Sequence, residues 1–385
     1  MQNLTIQSHK FDLPDDLHYL NGAFMSPQLK SVTKVGLASV LKKAHPHKIT
    51  VDDFFTDTEK IRQQYSQLIN NKEPKRIALI PSVSYGMANI TKNINLTGKE
   101  VVVAGEQFPS NVYPWMTATK QQGGKLIIID PPATTSHRGE RWNQLILEAI
   151  NSKTALVAIS HAHWADGTRF DLMALRKRTN EVGALLVIDG TQTIGAYSFN
   201  LEEIKPDALI CAGYKWMLGP YGLGLAYYGE YFNNAMPIEE NWINRLHSEN
   251  FAGLVEYEDA YQPGALRFEV GEHSGFVLVP MLLEALKQLN KWQPARIQSY
   301  CKTIIEEPLA KLSAAGFWIE DEDWRTNHLF GIRHGNLPME KIKEVLTREN
   351  IFVSFRGNAI RVSPYVHNSI DDMNALVNVL LENIK

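Results

Sequence analysis

Seven short apolar runs, RIALI, EVVVAG, KLIIID, ALVAIS, ALLVID, ALIC and GLGLAYY, recur through the first two-thirds of the chain. Runs of this length without polar alternation read as strands buried on both faces. Between most of them lie amphipathic segments such as NVYPWMTATKQQGG, RWNQLILEAINSK and DLMALRKRTNEVG. That alternation predicts an α/β domain whose mostly parallel sheet is covered by helices. After about residue 270 the pattern changes to two long helical stretches, FVLVPMLLEALKQLNKW and PARIQSYCKTIIEEPLAKLSAAG, and then to the strand-like HLFGIR, IFVSFR and AIRVS. The expected organisation is a large domain over 46–270 and a smaller α+β C-terminal domain over 271–385. Residues 1–45 form an N-terminal segment that packs on the small domain or on a neighbouring subunit. The stretch MPIEENWINRLHSENFAGLVEYEDAYQPGAL has no clear period and reads as a long functional loop.

Composition narrows the function. A formal charge of -3 gives no basic field for nucleic acid or anionic lipid, so a small-molecule ligand is expected. No stretch approaches eighteen apolar residues, so no membrane span is expected. The N-terminus has no charged region followed by an apolar one, which reads as a cytoplasmic protein. With only two cysteines, Cys211 and Cys301, neither a disulfide framework nor a cysteine-rich zinc site is plausible.

Ligands of open α/β sheets bind beyond the carboxyl ends of the strands. The runs deliver Ser82, Val83 and Ser84, then Phe108, then His161, His163 and Trp164, then Asp189 and Gln192, and finally Tyr214 and Lys215 to that edge. Each has an ordinary reading. Ser82 suits a helix N-cap as well as a phosphate seat at a helix start. Asp189 could cap a helix or fix a loop, but a carboxylate ending an apolar strand needs a cation. Phe108 could be core or a flat stacking surface. The His161-Ala162-His163 spacing suits a metal, yet no third ligand lies near, and none is expected. The glycines of GPYGLGLAY precede a strand-like run, not a helix, which excludes a dinucleotide loop.

Lys215 selects among these. A lysine just past a buried strand is costly unless its amine escapes to water or carries something. A ligand with a phosphate, a protonatable ring nitrogen and an aldehyde fits the whole set, and that ligand is pyridoxal 5'-phosphate. The amine would form a Schiff base with the aldehyde, and Asp189 would keep the ring nitrogen protonated.

From YLNGA to IRVSPYVHN, with VIDGTQTIGA and AGYKWMLGPYGLGLAYY its most specific parts, the chain resembles the class V aminotransferase group of fold-type I pyridoxal-phosphate enzymes. That group includes cysteine desulfurases, kynureninases and isopenicillin N epimerase-like proteins. The resemblance implies Lys215 as the Schiff-base lysine, Asp189 as partner of the pyridine nitrogen, and Gln192 near the ring hydroxyl. Ser84 and the Val83 backbone match the phosphate turn. Phe108 matches the stacking aromatic, and Tyr214 would reach the phosphate, both as in kynureninase-like members. Arg361 would grip the substrate α-carboxylate, with Asn21 near it. RFEVGEHSG matches the segment reaching a neighbour's site, so a homodimer is implied, with His273 and Ser274 as phosphate contacts.

Two departures follow from the resemblance. Trp164 stands where desulfurases have asparagine near the ring oxygen, so its indole N–H would replace that bond or the contact would be absent. IFVSFRGNAIRVS carries no cysteine where desulfurases have their nucleophile. On that ground desulfurase activity is rejected here. The expected function is a pyridoxal-phosphate enzyme acting on a small amino acid, with transamination first and a kynureninase-like hydrolase or a carbon–carbon or carbon–sulfur lyase second. Lys215 would be the base. A cofactor-binding protein without turnover is disfavoured, because such proteins join this fold to a DNA-binding module for which the chain has no basic patch or spare length.

Overall fold

A computed structural model describes residues 3–384. Its strands are β1 (His18–Tyr19), β2 (Ile77–Ile80), β3 (Glu100–Ala104), β4 (Lys125–Ile129), β5 (Thr154–Ser160), β6 (Leu185–Asp189), β7 (Ala208–Ala212) and β8 (Gly224–Tyr228), followed by β9 (Trp318–Ile319), β10 (Phe330–Arg333), β11 (Ile351–Phe352), β12 (Ser354–Arg356) and β13 (Ala359–Val362). The helices are α1 (Lys30–Lys43), α2 (Asp52–Ile69), α3 (Val83–Lys92), α4 (Tyr113–Gln122), α5 (Arg138–Ala149), α6 (Leu172–Val182), α7 (Leu201–Ile204), α8 (Leu278–Trp292), α9 (Pro294–Ala314), α10 (Met339–Arg348) and α11 (Ile370–Glu382).

The large sheet has the order β2-β8-β7-β6-β5-β3-β4. Every neighbouring pair from β7 through β4 is parallel, whereas β8 runs antiparallel to both β7 and β2. Successive residues of one strand enter opposite cores. Leu79, Val102, Val157, Ile188 and Leu209 pack on one side, and Ala78, Val101, Ala158, Val187 and Ile210 on the other. Two covered faces explain why the runs carry no polar alternation. β8 reads like its neighbours for the same reason, since burial on two faces is blind to strand direction. Its antiparallel course follows from a connection after β7 that lacks the helix a parallel crossover requires.

A four-stranded antiparallel sheet, β12-β13-β10-β9, forms with α9, α10 and α11 a third core. The N-terminal segment divides between the two sheets. β1 pairs in parallel with β11 of the C-terminal region, while α1 lies against α8 so closely that a Cβ on Gly36 would come within 2.7 Å of the Met281 sulfur. The unpatterned stretch 236–266 holds a 3-10 turn, Phe251–Val255, and otherwise irregular chain.

A buried charge cluster ties the sheets together. Asp166 lies 3.2 Å from Arg138 of α5 and 2.8 Å from Arg333 of β10, and Arg138 also reaches Glu320, at 3.3 Å. Burial alone would push the Asp166 carboxyl up. His163, Arg138 and Arg333 outweigh it and hold the group well below the usual carboxylate range.

Candidate active site

The carboxyl ends of β2, β3, β5, β6 and β7 open onto one cleft of about 250 Å³, lined among others by Ser82, Ser84, Phe108, Trp164, Asp189 and Lys215. At one end is the start of α3. Ser82 is its N-cap, accepting from the Tyr85 N–H at 3.2 Å, and the Ser82 and Ser84 hydroxyls hydrogen-bond at 2.9 Å. The ordinary capping role is therefore present, and it orients the free N–H groups of that first turn and the positive end of the helix towards the cleft.

Across the floor lies Asp189, the last residue of β6, 6% exposed and held by a hydrogen bond from the Thr191 N–H at 2.9 Å. Burial raises its pKa, against the opposing pull of Thr191 and Lys215. Lys215 follows β7 and is equally buried, with Nζ 5.4 Å from the centre of the Phe108 ring and 5.6 Å from that of Tyr214. Burial lowers its pKa to about 8; Asp189 opposes the shift, and Arg361 and Arg356 add to it. The two loops that carry these groups touch at Gly195, whose φ of +102° and contact with the Trp216 carbonyl leave no room for a side chain; a Cβ would sit 2.2 Å from that oxygen.

The rest of the predicted set divides. Val83, Gln192 and Tyr214 line the same cleft. Gln192 accepts from the Trp216 indole at 3.0 Å and donates to the Ala23 carbonyl at 3.2 Å, which leaves one N–H and one lone pair free. Trp164 lines the cleft, but its indole N–H donates to the Glu106 carbonyl at 2.7 Å. Of the two alternatives for Trp164, that favours the one in which the ring-oxygen contact is absent. Arg361 lies one layer out and 1% exposed, donating to the Trp164 carbonyl at 2.9 Å and to Ser354 Oγ at 3.2 Å. Ser354 in turn donates to Asn21, which joins Asn21 to Arg361 through one hydroxyl. His273 and Ser274 are not in this cleft. His273 Nδ1 lies 3.4 Å from Glu269, the partner of Arg62, and Ser274 borders a separate cleft with Lys42 and Asp53. His161 packs edge-on against Tyr197 and Phe199, and His163 against Trp142, so the two imidazoles occupy different surroundings.

Sequence reading missed Ser160 and Arg356. Ser160 pairs with Asp189 across β5 and β6 and lines the cleft with a buried hydroxyl that has no hydrogen-bond partner. Its place as the last residue of ALVAIS could have revealed it. The arrangement fits pyridoxal phosphate: a helix start for the phosphate, a buried carboxylate for the ring nitrogen, an under-satisfied amine for the aldehyde and an unpaired hydroxyl on the floor between them.

A family model described as Aminotransferase class-V matches residues 38–376. An uncharacterized aminotransferase, YcbU, of Bacillus subtilis is 23% identical over 368 residues, covering 90% of this chain and 93% of that protein. A probable cysteine desulfurase of Staphylococcus epidermidis is 32% identical over 157 residues, 40% of this chain and 36% of the relative. Among solved structures, a cysteine desulfurase from Thermococcus onnurineus superposes with a TM-score of 0.83 at 17% identity, over 100% of this chain and 99% of that one. The cystine C-S lyase C-DES, in complex with cysteine persulfide, gives 0.86 at 16%, over 96% and 99%. These structural likenesses establish the fold.

Desulfurases recur among both relatives and structures, which overturns the exclusion drawn from the missing loop cysteine and, with it, the ranking of transamination first. The physical error is plain. A loop thiol is an acceptor for departing sulfur, and its absence removes nothing from the groups that act at the substrate carbon. The chain belongs to the class-V aminotransferase family and is a pyridoxal-phosphate-dependent enzyme of fold type I.

Proposed function

We propose that the enzyme cleaves the Cβ–S bond of a cysteine-type amino acid in the cleft between Asp189 and Lys215. The carrying observation is the Lys215 amine, buried opposite a buried carboxylate and lowered to a pKa of about 8. When bound, the cofactor supplies an electron sink for charge that develops at the substrate Cα. Asp189 would hold that sink in its protonated form. Arg361 would fix the α-carboxylate with its planar fork, and Asn21, through Ser354, would hold the guanidinium in place. Once free, Lys215 takes the Cα proton onto Nζ, for which it must be neutral. A pKa near 8 leaves roughly a tenth of it neutral at pH 7, against a far smaller fraction for an ordinary lysine.

The electron pair of the Cβ–S bond then leaves with sulfur. Burial raises the thiols of both Cys211 and Cys301, so neither supplies a thiolate, and sulfur leaves into solution, as sulfide from cysteine or, because its S–S bond is already present, as a persulfide from cystine. The names of similar proteins, desulfurase and C-S lyase, both denote loss of sulfur and support this reading. Phe24, Tyr113 and Tyr221 are exposed large apolar side chains, which agrees with a second copy covering part of this surface as a homodimer. In that dimer His273 and Ser274 would contact the other copy's phosphate. Sedimentation of the purified protein tests the dimer.

Holoenzyme is incubated with cysteine and with cystine, and sulfide, persulfide, alanine, pyruvate and ammonia are measured. The expected result is sulfur release matched by a three-carbon product. Exchange of the amine to a keto acid that retains its sulfur, from both substrates, would overturn the reading. No helix among the described residues is long and apolar enough to cross a membrane.

A further inference from the structure

Two guanidiniums, not one, lie just behind the cleft lining, beside Trp164 and close enough for both to lower the Lys215 pKa. β12 and β13 pair with Ser354 opposite Arg361 and Arg356 opposite Ala359. Cross-strand partners share a face, and so do residues two apart, so Ser354, Arg356, Ala359 and Arg361 all project from one side of this hairpin. Both guanidiniums lie by the Trp164 ring that walls the cleft, at 5.1 Å for Arg356 and 5.8 Å for Arg361.

Neither cation is neutralised. Burial lowers the Arg356 pKa with no acid opposing it; burial and then Arg356 lower that of Arg361, which only Tyr19 opposes. The Nε donors of both are buried without a hydrogen-bond partner. Two like charges close together, partly desolvated and short of acceptors, are costly unless a ligand brings anions to them. One α-carboxylate satisfies the more buried Arg361. Arg356, nearer the hairpin tip, then waits for a second.

The geometry points to Arg356 as a specificity-determining residue that binds a second carboxylate at the far end of the substrate side chain, so the preferred substrate is an amino acid with a carboxylate beyond its sulfur. This rests on reading the cleft as an amino-acid site, not on cleavage of the carbon–sulfur bond. The same substrate would be monoanionic at one end and, with Arg361 on the α-carboxylate, would span the face of Trp164.

The test compares S-carboxymethylcysteine with its neutral isostere, S-carbamoylmethylcysteine. Dissociation constants are measured by calorimetry on the Lys215→Ala protein loaded with cofactor, which lacks the base and so binds without turnover. The charged ligand is expected to bind about 10–100-fold more tightly. Arg356→Gln should bring that ratio close to one, Arg356→Lys should restore part of it, and Arg361→Lys should weaken both ligands alike. Equal affinities in the parent protein, or equal weakening of both ligands by Arg356→Gln, would overturn the assignment. A failure to release sulfur in the turnover assay would leave this ratio unchanged, so the two readings fail separately.

Discussion

Asp189 and Asp166 are both buried carboxylates close behind apolar strands, and they are treated in opposite ways. Asp166 sits among Arg138, Arg333 and His163 and is held ionised well below its usual range. Asp189 has one backbone donor and a distant amine, and burial raises it. The first is a finished ion cluster joining two sheets. The second has no cation in contact with it and is left uncompensated. Burial of charge is therefore not the mark of function in this molecule; incomplete compensation is.

The comparison breaks first at Lys215. Lys215→Ala should lower turnover by about 10²–10⁴-fold, the range for loss of a general base, and borohydride treatment should no longer fix cofactor to the peptide carrying position 215. Retained turnover would end the argument. Asp166→Ala should act on the other side of the contrast, costing roughly 3–5 kcal/mol of stability by stranding Arg138 and Arg333. Denaturant unfolding would show it, with residual folded enzyme keeping its KM.

Asp189→Asn preserves shape and removes charge. It should reduce turnover roughly 10–100-fold, as expected for one charge-assisted hydrogen bond, with little change in unfolding free energy. A stability loss like that of Asp166→Ala would erase the distinction between the two sites.

The smallest effect concerns pH. Lys215 is lowered from 10.5 to about 8 in the folded, cofactor-free protein, so between those values the unfolded chain binds more protons than the folded one. The stability attributable to this group is fully present above 10.5 and is lost as pH falls through about 8. Lys215→Met should therefore melt higher than the cofactor-free parent at pH 7, with the gap closing towards alkaline pH. Asp166 behaves in the same direction at acid pH. Its contribution is present above 3.8 and fades as the cluster protonates below that value.

Much of the cofactor side was legible because it is local. Asp189 ends an apolar run and Lys215 and Ser84 stand a few residues past two others, and strands in one parallel sheet bring their ends to one edge. The destination of the Trp164 N–H was not legible. It depends on the Glu106 carbonyl, a long way off in the chain and turned by a left-handed residue with φ of 51°. Arg356 shares the segment IFVSFRGNAIRVS with Arg361, and the register of β12 on β13 is what brings the two onto one face.

From the order of its residues alone, this chain determined a buried sheet, the groups at that sheet's edge and a lysine too deep to be idle, because strand period and burial cost act over a few residues. Tertiary structure decided which charges are cancelled and which are left open. Compensation depends on partners from separate elements, Arg138 with Arg333 around Asp166 and Arg356 with Arg361 beside Trp164. The contacts of Arg333 with Asp166 and of the Arg356–Arg361 hairpin with Trp164 join the C-terminal sheet to a loop of the large one, and no local pattern encodes them.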